Sequence, residues 1–150
     1  MSKTDEVWKG LELYFKEFPH DMAGECSSSE LLQAQETLGA QFHKSYRKFV
    51  MQYGGGIVGS KVIYGLRHQK DMGDNFYSVV DLTNFYRNQH WPYIGEWYVV
   101  SDDFDGNPIG IDPDGKVWLL DHDSGFEKVK LADSFEEFLY KLLTDTLYEE

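Results

Sequence analysis

The chain has 150 residues, 14 Lys+Arg against 26 Asp+Glu, a net charge of −12 at pH 7, and 16% aromatic residues. That length suits one domain with a full core, and the aromatic share argues against wholesale disorder. The single Cys26 excludes an intrachain disulfide, and the longest apolar runs fall far short of the roughly 20 residues that span a bilayer. The opening Met1-Ser2-Lys3-Thr4-Asp5-Glu6 lacks the apolar core of a secretory leader, so a reducing cytoplasm is the expected setting.

Val7, Leu11, Tyr14, Phe15 and Phe18 recur at helical spacing and predict a first helix over residues 4–18, with Thr4 as its cap and Pro19 as its stop. Ser27 and Glu30 form a capping-box signature for a second helix bearing Leu31, Ala34 and Leu38, and Gly39 is placed to end it. Tyr46, Phe49, Val50 and Tyr53 mark the buried face of a third helix, followed by Gly54-Gly55-Gly56. Strands are predicted at Val62–Tyr64, Trp97–Val100, Ile109–Ile111, Val117–Leu120 and Val129–Leu131. A short helix through Leu82, Phe85 and Tyr86 is expected to be capped by Asp81 and closed by Pro92. Asp112-Pro113-Asp114-Gly115 is a turn signature, because proline presets its backbone angle and glycine reaches positive φ without strain. Ser134 and Glu137 form a second capping box, opening a helix with Phe135, Phe138, Leu139, Leu142 and Leu143 on one stripe. The tail Tyr148-Glu149-Glu150 is expected to fray. Together these elements predict an α+β domain spanning 1–150. Its sheet is mainly antiparallel, of about five or six short strands, with the N- and C-terminal helices packed on it.

The charge is unevenly placed. Residues 1–75 carry 9 basic and 10 acidic side chains, whereas residues 76–150 carry 5 and 16. Asp102, Asp103, Asp105, Asp112, Asp114, Asp121 and Asp123 crowd into residues 101–123 against Lys116 alone. Such a field repels phosphate backbones and anionic membranes and attracts a basic protein. Along the predicted strand, Trp118 and Leu120 face opposite to Val117 and Leu119; if helices cover one face only, Trp118 becomes a candidate anchor. The candidate partner-binding set is therefore Asp102, Asp103, Asp105, Trp118, Asp121 and Asp123.

Catalytic and cofactor motifs are absent from the sequence. Gly54 and Gly59 followed by Ser60-Lys61 have the wrong order for a phosphate-binding loop and leave a helix rather than a strand. Ser101–Asp112 imitates a calcium loop but starts on Ser101, ends on Asp112 instead of Glu, and has strand-like flanks. The five histidines show no zinc-ligand spacing, and no nucleophile elbow occurs. His122, between Asp121 and Asp123, is a candidate general acid for a small hydrolase, although surface hairpins commonly hold such clusters. No metal, cofactor or catalytic residue is expected.

The order of features is itself informative. Ser27-Ser28-Ser29-Glu30-Leu31, Leu38-Gly39, Tyr46-Arg47-Lys48-Phe49-Val50 and Tyr53-Gly54-Gly55-Gly56 come first. Then follow Gly106-Asn107-Pro108-Ile109-Gly110-Ile111-Asp112, Gly115-Lys116-Val117-Trp118, His122-Asp123 and Ala132-Asp133-Ser134-Phe135-Glu136-Glu137-Phe138-Leu139. From about residue 27 to 143 this order resembles the SUKH superfamily, which includes fungal cell-wall assembly regulators and many bacterial immunity proteins. The chain departs from it at Gln41-Phe42-His43-Lys44, where members usually carry Leu-Pro. The resemblance implies an α+β fold and, for bacterial members, a non-enzymatic role: neutralising a toxin, often the nuclease domain of a polymorphic toxin, by binding it. For the fungal members it implies a regulatory scaffold in cell-wall assembly or signalling.

Overall fold

The computed structural model describes residues 3–73 and 77–148. Helix α1 (Lys3–Glu17) is followed by a 3₁₀ turn at Pro19–Asp21, then α2 (Ser28–Leu38) and α3 (Lys44–Tyr53). Strands β1 (Gly56–Val58) and β2 (Lys61–Ile63) form a two-stranded antiparallel hairpin. Helix α4 (Val79–Asn88) leads to β3 (Tyr98–Asp102), β4 (Pro108–Ile111), β5 (Val117–Asp121) and β6 (Glu127–Ala132), an antiparallel meander in that spatial order. Helix α5 (Phe135–Leu143) follows. The α+β class, the antiparallel pairing and the helices at both ends agree with the sequence. Among the described residues the six strands divide into sheets of two and four. The two sheets still touch, since the Tyr64 N–H donates to the Val100 carbonyl and the Ser101 hydroxyl to the Val62 carbonyl.

Most helix ends follow their local chemistry. Ser27 and Glu30 form the reciprocal capping box of α2, and Gly39 ends that helix in the left-handed conformation. Gly54 does the same for α3, and β1 starts two residues later, on a glycine that gave no strand signal. Three expectations are corrected. Helix α1 already runs from Lys3, so Thr4 lies inside its first turn rather than before it. Ser78, not Asp81, caps α4; Asp81 is the third helical residue and completes the box from the other side. In the last helix Ser134 accepts from the Glu137 N–H, but the Glu137 carboxylate reaches back to the Asp133 N–H instead of to Ser134. Glu149 and Glu150 lie outside the described residues, whereas Leu147 just before them is buried. The Gln41–Lys44 departure is absorbed by packing: Phe42 is buried, its N–H donating to Gln35 Oε1, and the His43 N–H donates to the Tyr98 hydroxyl.

Both faces of the four-stranded sheet are covered. On one, Tyr98, Val100, Ile109, Ile111 and Val117 meet a core fed by α1, α2, α3 and α5. Rings of Phe42, Tyr46, Phe49, Tyr98 and Phe135 interlock there at centroid separations of 4.8–5.7 Å. On the other, Val99 and Leu120 join Leu82, Tyr86, Ile94 and Trp97 in a smaller cluster, with Trp91 and Trp118 packed at its margin. Strand alternation thus assigns Val117 to one core and Trp118 and Leu120 to the other. Gly110 permits the second layer, because a Cβ there would sit 2.9 Å from Trp97 Cε3. Among the described residues no helix is long and apolar enough to cross a membrane.

Candidate functional site: an acidic end of the sheet

In a four-stranded meander the first and third turns share one end of the sheet and the second turn occupies the other. The aspartates of residues 101–123 are divided accordingly. The β3–β4 turn holds Asp103 and Asp105, the β5–β6 connection holds Asp121 and Asp123, and the β4–β5 turn at the far end holds Asp112 and Asp114. A direct bridge ties the first and third turns together. Buried Asn107 accepts through Oδ1 from the His122 N–H at 3.0 Å, and its Oδ1 also contacts His122 Nδ1. Five of the six candidate residues therefore stand at one end, joined by Glu127, which pairs with Asp121 across β5 and β6.

These carboxylates have different tasks. Asp103 Oδ1 accepts from the N–H groups of Asp105 (2.9 Å) and Asn107 (2.8 Å), and Oδ2 accepts from Asn107 Nδ2 (2.9 Å). The turn is built around this side chain, an Asx-type device that aspartate favours because it mimics a backbone acceptor. Asp121 accepts from the Asp123 N–H and the Ser124 hydroxyl and so starts the 3₁₀ turn at His122–Ser124. Asp102 is half-buried and accepts from the Tyr64 hydroxyl at 3.0 Å. Burial pushes its carboxyl above the usual range, while the Tyr64 hydrogen bond and the Lys61 charge pull it back. Burial and the Asp102 charge push the Tyr64 phenol up in turn. Asp105 and Asp123 remain exposed, and His122 Nε2 lies 3.3 Å from Asp123. His122 thus ties the two turns together through its N–H and Nδ1, while Nε2 meets only its exposed neighbour Asp123 within the same turn.

Phe104 is a residue of this end that no sequence pattern singles out. It sits at the tip of the Asp103-centred turn and is 92% exposed, with Lys61 Nζ 5.3 Å from its ring centroid. The available signal was its setting: an aromatic flanked by Asp103 and Asp105 just before Gly106 follows no strand or helix period, so no packing partner was specified. Trp118, the aromatic singled out instead, is not part of this end. It pairs with Gly110 in mid-sheet, and its indole N–H donates to Asp112 Oδ2 at 2.9 Å, toward the opposite turn. Lys128 Nζ covers its ring at 4.3 Å. The acidic end consequently combines five aspartates, Glu127, the solvent-exposed ring of Phe104 and the less exposed ring of Phe126 in the β5–β6 connection. Such a surface can steer and dock a basic protein.

No curated protein matches the sequence significantly. A family model does, described as the SMI1 / KNR4 family (SUKH-1), and it matches residues 25–141, more than three quarters of the chain. The matched stretch runs from just before the α2 capping box, through both sheets, into α5. With that span, this α+β chain belongs to the SMI1 / KNR4 family (SUKH-1).

Proposed function

We propose that this protein is an immunity protein, a binding module without catalytic activity. It captures a toxin, the nuclease domain of a polymorphic toxin, on the acidic end of its four-stranded sheet. The observation that carries the reading is Phe104, fully presented to solvent between Asp103 and Asp105 and backed by Asp102, Asp121, Asp123 and Glu127. A nuclease must display a cationic groove to hold a phosphate backbone. An acidic end of this kind competes for that groove, while an aromatic ring supplies the desolvated anchor that charge alone does not. Family membership supports the same reading, since the superfamily includes immunity proteins.

The test is co-expression with a nuclease toxin whose gene is found beside this one, scored by cell survival and by co-elution of the two proteins. Protection is expected, with complex formation weakened about 30-fold by Phe104→Ala, the scale of an ordinary hot spot. Asp105→Asn with Asp123→Asn should slow association by about an order of magnitude at low salt and flatten its salt dependence. Normal killing without a complex defeats the reading for that toxin. The family also supports a second role, a regulatory scaffold in cell-wall assembly or signalling, and gene context discriminates between the two: a housekeeping gene with no toxin neighbour favours the scaffold.

A further inference from the structure

A second surface has the opposite character. Helices α2 and α3 lie side by side, joined through Gly39–His43, and leave between them a groove of about 500 Å³ floored by Leu31, Leu32 and Met51. Leu32 is 59% exposed and Met51 39% exposed, so two large apolar side chains of the floor face solvent. Lys44, Arg47 and Lys48 stand along its α3 side, at the i, i+3, i+4 spacing that puts them on one helix face. Among the described residues no carboxylate lines it, in a chain whose acidic residues outnumber its basic ones by 26 to 14. Among the described residues none of the three cations forms an ion pair; Lys48 instead lies over the Trp8 ring at 4.4 Å.

We infer that this groove is a docking site for an acidic amphipathic helix of a partner protein, distinct from the acidic end of the sheet. Charge complementarity selects the occupant: three cations without a carboxylate partner among the described residues, beside an apolar floor, match a segment whose Leu or Phe anchors are flanked by Asp and Glu. Shape selects a helix. The walls are helices of 11 and 10 residues, so the groove is roughly 15 Å long at 1.5 Å per residue, which holds an amphipathic helix of about three turns. The acidic end cannot serve such a partner, because its carboxylates repel it. The protein therefore carries two surfaces of opposite selectivity, one for a basic protein and one for an acidic segment.

The experiment selects a display library of random peptides of about 12 residues on the intact protein and titrates the enriched sequences by fluorescence anisotropy. The expected consensus is net acidic with Leu, Phe, Trp or Met at i, i+3 or i+4. Leu32→Gln and Met51→Gln should each weaken binding about tenfold, and Arg47→Glu should abolish preference for acidic over lysine-substituted versions of the same peptides. These positions are solvent-exposed or partly so, and the melting temperature of each variant verifies its fold. Asp105→Asn with Asp123→Asn, which disturbs the acidic end alone, should leave peptide affinity within twofold. Four results would overturn the inference: no enrichment, a basic consensus, affinity indifferent to the groove variants, or loss of it through the Asp105/Asp123 pair. It would equally fall if Arg47→Glu-sensitive binding occurred only to phosphatidylserine vesicles, or if Met51→Gln dissolved a dimer seen by sedimentation.

Discussion

Asp103 offers the sharpest check on how the acidic end is built, because its charge and its architectural role can be separated. Asp103→Ala removes the acceptor for the Asp105 N–H, the Asn107 N–H and Asn107 Nδ2. Asp105 is exposed, so water replaces that bond at little cost, but Asn107 is only 3% exposed. Leaving two of its donors without partners costs about 1–3 kcal/mol each, reduced by partial hydration, for a loss of about 2–4 kcal/mol. For a chain of this length that corresponds to a fall of about 5–12 °C in Tm. Asp103→Asn keeps an oxygen for the two backbone N–H groups but turns an amide toward Asn107 Nδ2, donor against donor. Asn107 cannot rotate to relieve this without giving up the His122 N–H that its Oδ1 accepts. The loss should be about 1–2 kcal/mol. Asp105→Asn, which touches no such bond, should stay within about 0.5 kcal/mol of the native protein. Urea unfolding at pH 7 followed by tryptophan fluorescence measures all three. A native-like Asp103→Ala would refute the turn mechanism, and an Asp103→Asn more stable than the native protein would mean that carboxylate repulsion outweighs hydrogen bonding here. The consequence for function is practical. Only Asp105, Asp123 and Glu127 can be neutralised without disturbing the scaffold that presents Phe104.

Three further outcomes can be measured. Phe104→Ala should leave Tm within about 2 °C, since a ring 92% exposed contributes almost no burial; a larger fall would mean that the ring is a structural contact of Lys61. Gly54→Ala should fail to fold or lose more than about 4 kcal/mol, because φ is +73° and a Cβ would lie 1.7 Å from the Gly24 carbonyl oxygen, whereas Gly39→Ala, at φ +62° with open space around it, should lose about 1 kcal/mol by chemical denaturation. The Arg67 guanidinium, with the Ser27 N–H, holds the Glu30 carboxyl down to about 2 from its ordinary 4.5. A depressed carboxyl stabilises the fold fully above 4.5 and progressively loses that contribution as pH falls through 2, so the stability gap between the native protein and Arg67→Gln should shrink over that window; a gap as large at pH 2.5 as at pH 7 would contradict the ion pair as its source.

What could be read from the chain was short-range. The Ser27–Glu30 box, the Gly39 and Gly54 helix ends, the Asp112–Gly115 turn and the Ser134 cap each depend on atoms within a few residues, so their chemistry is written consecutively. The apolar stripes of α3 and α5 likewise announced their buried faces through spacing. Phe85 shows where that logic stops: it fits the stripe of α4 yet is 48% exposed, because the second core collects Leu82 and Tyr86 but does not extend to it. Strand β1, three residues opening on Gly56, had no period to reveal it and exists because β2 pairs with it.

The candidate site was half legible for the same reason. Seven aspartates in 23 residues are visible in the sequence, and so is their attraction for a basic protein. Their sorting into two ends of the sheet, the Asn107–His122 bridge that locks two turns together, the removal of Trp118 toward Asp112 and the full exposure of Phe104 were decided only by tertiary structure. Charge and local capping belong to residues and their immediate neighbours. Which carboxylates share a surface depends on strand pairing that brings together residues as far apart as Asn107 and His122, 15 positions along the chain, and that pairing is set by how the two cores close on the sheet.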